Sequence, residues 1–137
     1  MASRREQRES ALKICFANFF SHQSFDEINK NLRLSENEEM AAKEGELCTL
    51  LSNAVIANFE EYDKKIEAKL KDWTLNRIST IDHVIMRLAI AEFEECPEIA
   101  SEVTMNEMLE LSKKYSTEKS RKFINGVLDS ILKDYKK

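Results

Sequence analysis

The chain has 137 residues, a formal net charge of −4, and only 2 glycines and 1 proline. So few glycines argue against a glycine-rich nucleotide-binding fold and against a turn-rich β-sandwich. The length suits one domain over 1–137, and a charged fraction of 34% with almost no helix breakers predicts an all-helical fold.

Apolar residues at three- and four-residue spacing divide this domain into about seven predicted helices. Ser24 and Ser35 are expected to cap the second and third helices, and Ser79 or Thr80 the fifth. Pro97 ends the fifth helix, because proline cannot continue the helical hydrogen bonds. The seven helices are expected to cover about 3–22, 25–32, 36–58, 60–70, 81–94, 101–115 and 118–134.

Two of these helices carry features beyond a single apolar stripe. The fifth is apolar on more than one face, which predicts that it lies at the centre of the molecule. His83 within it is expected to be a polar residue at the surface or boundary. In the last helix, Gly126 costs about 1 kcal/mol of helix stability relative to alanine, so we expect it to permit a close helix contact.

The sequence pattern also bears on compartment and cofactors. No run approaches the roughly 18 consecutive apolar residues of a membrane helix, and the charged N-terminus does not read as a signal peptide. Cys15, Cys48 and Cys96 are odd in number and far apart, which predicts small core residues in a reduced cytoplasm. His22 and His83 lack a second ligand at metal spacing, so we expect no metal, no cofactor and no catalytic residue.

The charge is distributed unevenly along the chain. Residues 1–14 hold 4 basic and 2 acidic side chains, residues 112–137 hold 8 and 3, and residues 15–111 hold 9 and 20. If the first and last helices pack side by side, the two basic ends form one patch on an acidic body. Because local charge governs binding, RNA is a candidate ligand, and a merely solvated lysine-rich tail is the alternative.

The start of the last helix is the most informative basic segment. It places Lys119, Arg121 and Lys122 next to Phe123. Proteins that bind single-stranded RNA combine cations for the phosphates with aromatic or guanidinium planes for the bases. A phenylalanine at such a position is by itself more often a core residue, so the segment favours RNA binding through its cations.

Several motifs make the chain similar to a known family. Residues 87–93 read Arg-Leu-Ala-Ile-Ala-Glu-Phe, residues 103–107 read Val-Thr-Met-Asn-Glu, and residues 122–129 read Lys-Phe-Ile-Asn-Gly-Val-Leu-Asp. Residues 4–11 add an Arg-Arg-x-x-Arg-x-x-Ala pattern. Together these motifs resemble the NusB family of bacterial transcription antitermination factors, and the similarity is greatest over about 73–132.

The resemblance implies a function and a set of partners. It implies two small packed helical bundles, about 1–59 and 60–137, that bind the boxA element of ribosomal RNA leader transcripts. It implies a protein partner, the small-subunit ribosomal protein NusE, and a place in the RNA polymerase antitermination complex rather than an enzymatic activity. The family includes both monomers and homodimers, so a homodimer is possible within this resemblance.

The resemblance also assigns residues, and the basic segment of the last helix adds two more. For the partner it suggests Glu92 and the start of the helix that follows Pro97, with Glu102 and Val103. The expected RNA-binding residues are Arg4, Arg5, Arg8, Phe16, Arg77, Asp82, Lys119, Arg121, Lys122 and Phe123.

Two other functions fit the same helical pattern. NusB-like domains also occur as accessory domains of ribosomal RNA methyltransferases, and the chain could be a helical scaffold without a role in RNA binding. The chain also departs from the family pattern. Phe16 replaces a more usual tyrosine, Lys119 stands where an acid is common, and Glu94, Glu95 and Glu102 make the expected partner surface more acidic.

Overall fold

The computed structural model describes residues 2–33, 45–71 and 74–135. These residues form six α-helices and one 3-10 turn, Leu75–Arg77, which precedes the fourth helix. The predicted cap at Ser35 and the predicted start of the third helix lie outside the described residues. The helices are α1 (Arg4–Ser21), α2 (Phe25–Arg33), α3 (Glu46–Glu67), α4 (Thr80–Glu95), α5 (Ser101–Tyr115) and α6 (Glu118–Tyr135).

The third and fourth predicted helices are one helix in the structure. α3 continues through residues 58–60, and Asn58 alters its course by departing from helical backbone angles (φ −123°, ψ 16°). The side-chain amide of Asn58 donates a hydrogen bond to the carbonyl of Ala54 at 2.9 Å. Such a bond competes with the backbone hydrogen bonds of the helix. The predicted break is therefore a kink, which explains why about seven predicted helices become six.

The prediction that the helix after Ser79 lies at the centre is confirmed. α4 packs against α1, α3, α5 and α6, and every residue from Asp82 to Glu92 is buried. The burial includes His83, so the expectation of a surface or boundary residue is wrong. Its ring is hydrogen-bonded to Asp63, which allows a polar side chain to lie inside the molecule.

One hydrophobic core runs through the described residues. It contains apolar side chains from all six helices, including Ile28 of α2, Tyr62 of α3 and Leu128 of α6. The kink at Asn58 lies next to the predicted boundary between sub-bundles at residues 59 and 60, and α3 crosses that boundary. The division into two sub-bundles stays a prediction.

The cysteines occupy the positions expected of core residues. Cys15, Cys48 and Cys96 are buried and free of disulfide bonds. Burial raises the pKa of Cys15 to about 12, so its thiol is protonated at neutral pH. Across the described ranges, no helix is both long enough and apolar enough to pass through a lipid bilayer.

Gly126 differs from its predicted role. It is exposed on α6, and a Cβ built at this position meets no atom within 4 Å. The prediction of a close helix contact is therefore wrong, because nothing in the described structure approaches the missing side chain.

Replacing Gly126 with alanine should stabilise the protein. The open space accepts a methyl group, and alanine is about 1 kcal/mol better than glycine inside a helix. Urea denaturation monitored by circular dichroism measures the change in the free energy of unfolding. Asn125→Ala, at the exposed neighbouring position, should gain less, and a loss of stability in Gly126→Ala would reveal a contact that the structure does not contain.

Candidate nucleic-acid interface

The first turn of α1 is fixed by reciprocal caps. Ser3 Oγ accepts a hydrogen bond from the amide of Glu6 at 3.1 Å, and the Glu6 carboxylate accepts one from the amide of Ser3 at 3.0 Å. This capping box was readable from the Ser-x-x-Glu spacing. It holds Arg4 and Arg5 in the exposed first turn, where the helix dipole slightly disfavours cations. Helix stability therefore does not explain why these arginines are there.

Arg5 connects that turn to the middle of α5. Its Nε and Nη2 donate hydrogen bonds to the two carboxylate oxygens of Glu107, at 2.9 and 3.0 Å. The Arg5 side chain nevertheless remains 66% exposed. The hydrogen bond from Arg5 lowers the pKa of Glu107, and the same pairing raises the pKa of Arg5. Arg5 is thus held in place and still accessible to a ligand.

Glu9 makes a second connection between α1 and α5, one turn further along. Its carboxylate accepts hydrogen bonds from Lys114 Nζ at 2.6 Å and from the Tyr115 hydroxyl. Partial burial acts to raise the pKa of Glu9, but these two hydrogen bonds lower it below its ordinary value. Burial and the hydrogen bond to Glu9 raise the pKa of Tyr115 to about 12. The basic end of α5 is therefore anchored on α1.

Asp82 connects the start of α4 to the segment between α5 and α6. Its backbone amide donates to Ser79 Oγ at 3.3 Å, which confirms Ser79 as the cap of α4, and its carboxylate accepts from Ser116 Oγ at 2.6 Å. Asp82 is 3% exposed. This burial does not favour the expected contact of Asp82 with RNA, which stays a prediction, and the two bonds connect the start of α4 to Ser116.

These connections bring the remaining basic residues to one end of the molecule. Arg77 is exposed on the 3-10 turn just before Ser79, and Lys119 and Lys122 are exposed on the first turns of α6, just after Ser116. Arg121 is half-buried and lies 3.9 Å from Glu118. Phe123, which the sequence left between a core and a stacking role, is half-buried against the core.

Exposed aromatic rings lie on α1 and at the end of α5. Phe16 is 37% exposed on α1, and Phe20, one turn later, is 62% exposed, with ring centroids 5.2 Å apart in an edge-to-face arrangement. Tyr115 is 37% exposed beside the start of α6. Sequence reasoning singled out Phe16 alone. The four-residue spacing from Phe16 to Phe20 could have indicated the second ring, whereas the position of Tyr115 depends on Glu9, which lies 106 residues away.

Arg8 lies on the buried face of α1, one turn after Arg5. Its Nε and Nη2 donate to the two carboxylate oxygens of Glu92 at 2.7 and 2.9 Å, and the hydroxyl of Thr104 also donates to that carboxylate. The Arg8 and Glu92 side chains are 3% and 0% exposed. The two residues bind each other in the interior, and this burial does not favour the predicted contacts of Arg8 with RNA and of Glu92 with a protein partner, which stay predictions.

A second ionic cluster fixes α3 and α1 on α4. Asp63 accepts hydrogen bonds from His83 Nε2 at 2.6 Å and from Arg87 Nε and Nη2 at 2.8 and 2.7 Å. The Arg87 guanidinium lies between the rings of Phe19 and Phe59, with centroid distances of 4.9 and 5.1 Å. Burial acts to raise the pKa of Asp63, and its bonds to His83 and Arg87 lower it overall.

The basic ends of the chain meet through α5 rather than directly. α1 packs mainly on α3 and α4, and α6 packs mainly on α5 and α4. The first and last helices therefore do not pack side by side, as a single basic patch was expected to require. The side-chain bonds of Glu9 and Glu107 join α1 to α5 instead. At the opposite end of α5, Glu102 and Val103 are exposed, as a contact with a protein partner requires.

Removing Arg8 should destabilise the protein strongly. Arg8→Met leaves the buried Glu92 carboxylate without its partner, and breaking such a pair costs about 3–5 kcal/mol. The double variant Arg8→Met/Glu92→Leu should recover much of this loss, because an apolar replacement removes both buried charges. Urea denaturation measures all variants. Arg4→Met is the control at an exposed position, and a cost for Arg8→Met no larger than for this control would contradict the assignment.

Stability should decrease in acid. The folded-state pKa values of Asp63, Glu9 and Glu107 are lowered, so their contribution is complete above their ordinary values of 3.8 and 4.5 and is lost as the pH falls through the lowered values. Urea denaturation from about pH 7 to about pH 3 should show this decrease. Asp63→Asn should be less stable at neutral pH and show a shallower decrease, and an unaltered pH profile in this variant would refute the role of Asp63.

Comparisons with known proteins agree with this architecture. Residues 5–133 match the NusB family. The transcription antitermination protein NusB of Clostridium novyi (strain NT) is 37% identical over 131 residues, which cover 96% of this chain and 98% of the relative. The solved structure of T. maritima NusB has a TM-score of 0.81 and 32% identity, covering 96% of this chain and 92% of that chain. A chain in the crystal structure of antitermination factors NusB and NusE in complex with dsRNA has the same fold, with a TM-score of 0.77, 24% identity, and coverage of 96% and 97%. A match of this extent in sequence and in fold shows that the chain belongs to the NusB family.

Proposed function

We propose that the chain is a non-enzymatic transcription antitermination factor that recognises boxA RNA of ribosomal RNA leader transcripts together with NusE. The observation that carries the proposal is the arrangement around the basic end of α5. Lys114 at that end is bonded to Glu9 of α1, whose exposed Arg5 is bonded to Glu107 one to two turns earlier on α5. Exposed Lys119 and Lys122 lie on the first turns of α6, which directly follows α5. The relative from Clostridium novyi is named transcription antitermination protein NusB, which supports this proposal.

The chemistry of this surface suits a single strand of RNA. The exposed arginines and lysines bind phosphates, and the exposed face of Phe16 offers a plane on which a base can stack. The loss of the tyrosine hydroxyl at this position leaves stacking intact. The acidic body of the protein repels nucleic acid elsewhere, so binding is confined to this surface and depends on a small number of contacts.

The proposed surface for NusE lies at the start of α5. Val103 is 44% exposed there, and Glu102 and Glu98 are exposed beside it. An exposed apolar side chain with two exposed carboxylates close by in the chain suits a basic protein, because charge complementarity steers such a partner and fixes its orientation. A solved relative of the same fold was crystallised with NusE and dsRNA, which supports the choice of partner. In this proposal the protein works in the cytoplasm, as part of the RNA polymerase antitermination complex.

Binding of boxA RNA tests the proposal. A fluorescently labelled boxA RNA and a scrambled RNA are titrated by anisotropy, with and without NusE. We expect weak binding of boxA alone and tighter binding with NusE, and log Kd should change with log salt by about 0.7 for each phosphate contacted. Equal affinity for the two RNAs under both conditions would refute the proposed function.

Phe16 gives a sharper test of the RNA surface. Phe16→Ala should weaken boxA binding by about 1–3 kcal/mol, the usual value of one base stacked on an aromatic ring. Phe16→Tyr is the matched control, because it keeps the ring and should keep most of the affinity. A salt dependence unchanged in Phe16→Ala separates stacking from phosphate contacts. If Phe16→Ala binds as tightly as the unmodified chain, Phe16 has no role in RNA binding.

A further inference from the structure

Two arginines of α1 are each held by a glutamate from another helix, and they differ in exposure. Arg8 and Glu92 are both in the interior, whereas the Arg5 side chain is 66% exposed and the Glu107 side chain is 19% exposed. In both pairs the carboxylate binds the arginine side-on, through Nε and Nη2. The inner pair is a structural contact, and the outer pair lies on the proposed RNA surface.

The side-on geometry leaves most of the Arg5 guanidinium available. Of the five N–H groups of an arginine, Glu107 takes the one on Nε and one of the two on Nη2. The other three, two of them on Nη1, take no part in this pair. A phosphate binds a guanidinium through two adjacent N–H groups, and the edge formed by Nη1 and Nη2 supplies such a pair. Glu107 and a phosphate can therefore bind Arg5 at the same time.

Glu107 itself has a fixed position. It lies on α5 one turn after Thr104, whose hydroxyl binds the buried carboxylate of Glu92. Both carboxylate oxygens of Glu107 accept hydrogen bonds from Arg5. The long side chain of Arg5 is thus held in place by a residue of a different helix, α5. Without this restraint an exposed arginine loses conformational entropy when it binds a phosphate.

We propose that Glu107 is a positioning residue for RNA, which holds the Arg5 guanidinium so that its Nη1–Nη2 edge receives a backbone phosphate. This inference rests on the proposed function of the same surface. It predicts an unexpected change in RNA affinity, because removing a negative charge next to an RNA-binding surface would ordinarily strengthen binding. If Glu107 positions Arg5, neutralising Glu107 weakens binding. If Glu107 only competes with the phosphate for Arg5, neutralising it strengthens binding.

Glu110 supplies the matched control. It lies on α5 at the position three residues after Glu107, is exposed, and acts on Arg5 through its charge, raising the pKa of that residue as Glu107 does. Glu107→Gln and Glu110→Gln remove the same charge, but only the first removes the side-on pair with Arg5. The test measures the affinity of the purified full chain for labelled boxA RNA over a range of salt concentrations, with thermal melts to show that each variant is folded.

We expect Glu107→Gln to weaken boxA binding by about threefold to tenfold, which corresponds to the cost of immobilising one flexible side chain. Glu110→Gln should bind as well as the unmodified chain or better. Arg5→Lys should also weaken binding, because it keeps the charge but cannot form the side-on pair. The slope of log Kd against log salt should stay the same in Glu107→Gln and fall by about 0.7 in Arg5→Ala, which loses a phosphate contact.

A double-mutant cycle decides between positioning and a general effect on the fold. In the Arg5→Ala background, Glu107→Gln should no longer weaken binding, because there is no guanidinium to hold. A loss of affinity that persists in this background overturns the inference, as does a gain of affinity in Glu107→Gln or a change equal to that in Glu110→Gln. If boxA and scrambled RNA bind the unmodified chain equally both with and without NusE, the proposed function fails, whatever the variants show.

Discussion

The buried bond between Arg8 and Glu92 is the contact on which the arrangement of the other helices depends. It joins α1 to the central helix α4, and the Thr104 hydroxyl adds α5 to the same carboxylate. Two charges in an interior of low dielectric are tolerated only where each is fully bonded, so these three helices have one relative position in which the cost of burial is offset. That position sets the distance between α1 and α5, and with it the geometry of the outer surface.

On that outer surface, acidic residues arrange the basic ones. Glu107 holds Arg5, Glu9 holds Lys114, and the buried Asp82 holds the connection that leads into the basic start of α6. Each of these carboxylates leaves the basic side chains in place but restricts the positions that a basic side chain or segment can adopt. A surface organised in this way favours a ligand with phosphates at matching positions over nucleic acid in general, because specificity depends on fixed geometry while net charge does not.

The sequence predicted the fold well and the interior of the site poorly. Apolar periodicity located α5 over 101–115 and the central α4, since burial on several faces is visible in the pattern itself. The burial of Arg8 is not predictable from the sequence, because an arginine close to two others is typical of a surface cation and its partner is 84 residues away in the chain. Likewise, nothing local to His83 indicates Asp63, and nothing local to Gly126 indicates that the space around it is open. The burial or exposure of such residues depends on partners far away in the chain, and the local sequence pattern around each residue does not reveal those partners.

The kink of α3 at Asn58 has a consequence for folding. Before the kink, α3 contributes Cys48, Leu51 and Val55 to the core, and after it Asp63 bonds to α4. Local preference and tertiary contacts act against each other here, since an uninterrupted run of helical residues tends towards a straight rod. Asparagine lessens that conflict, because its amide binds the carbonyl of Ala54 and makes the irregular backbone locally acceptable. The bend is thus encoded by the residue at the bend as well as imposed by the packing around it, so the two halves of one helix reach the core with little conflict between local and tertiary preference.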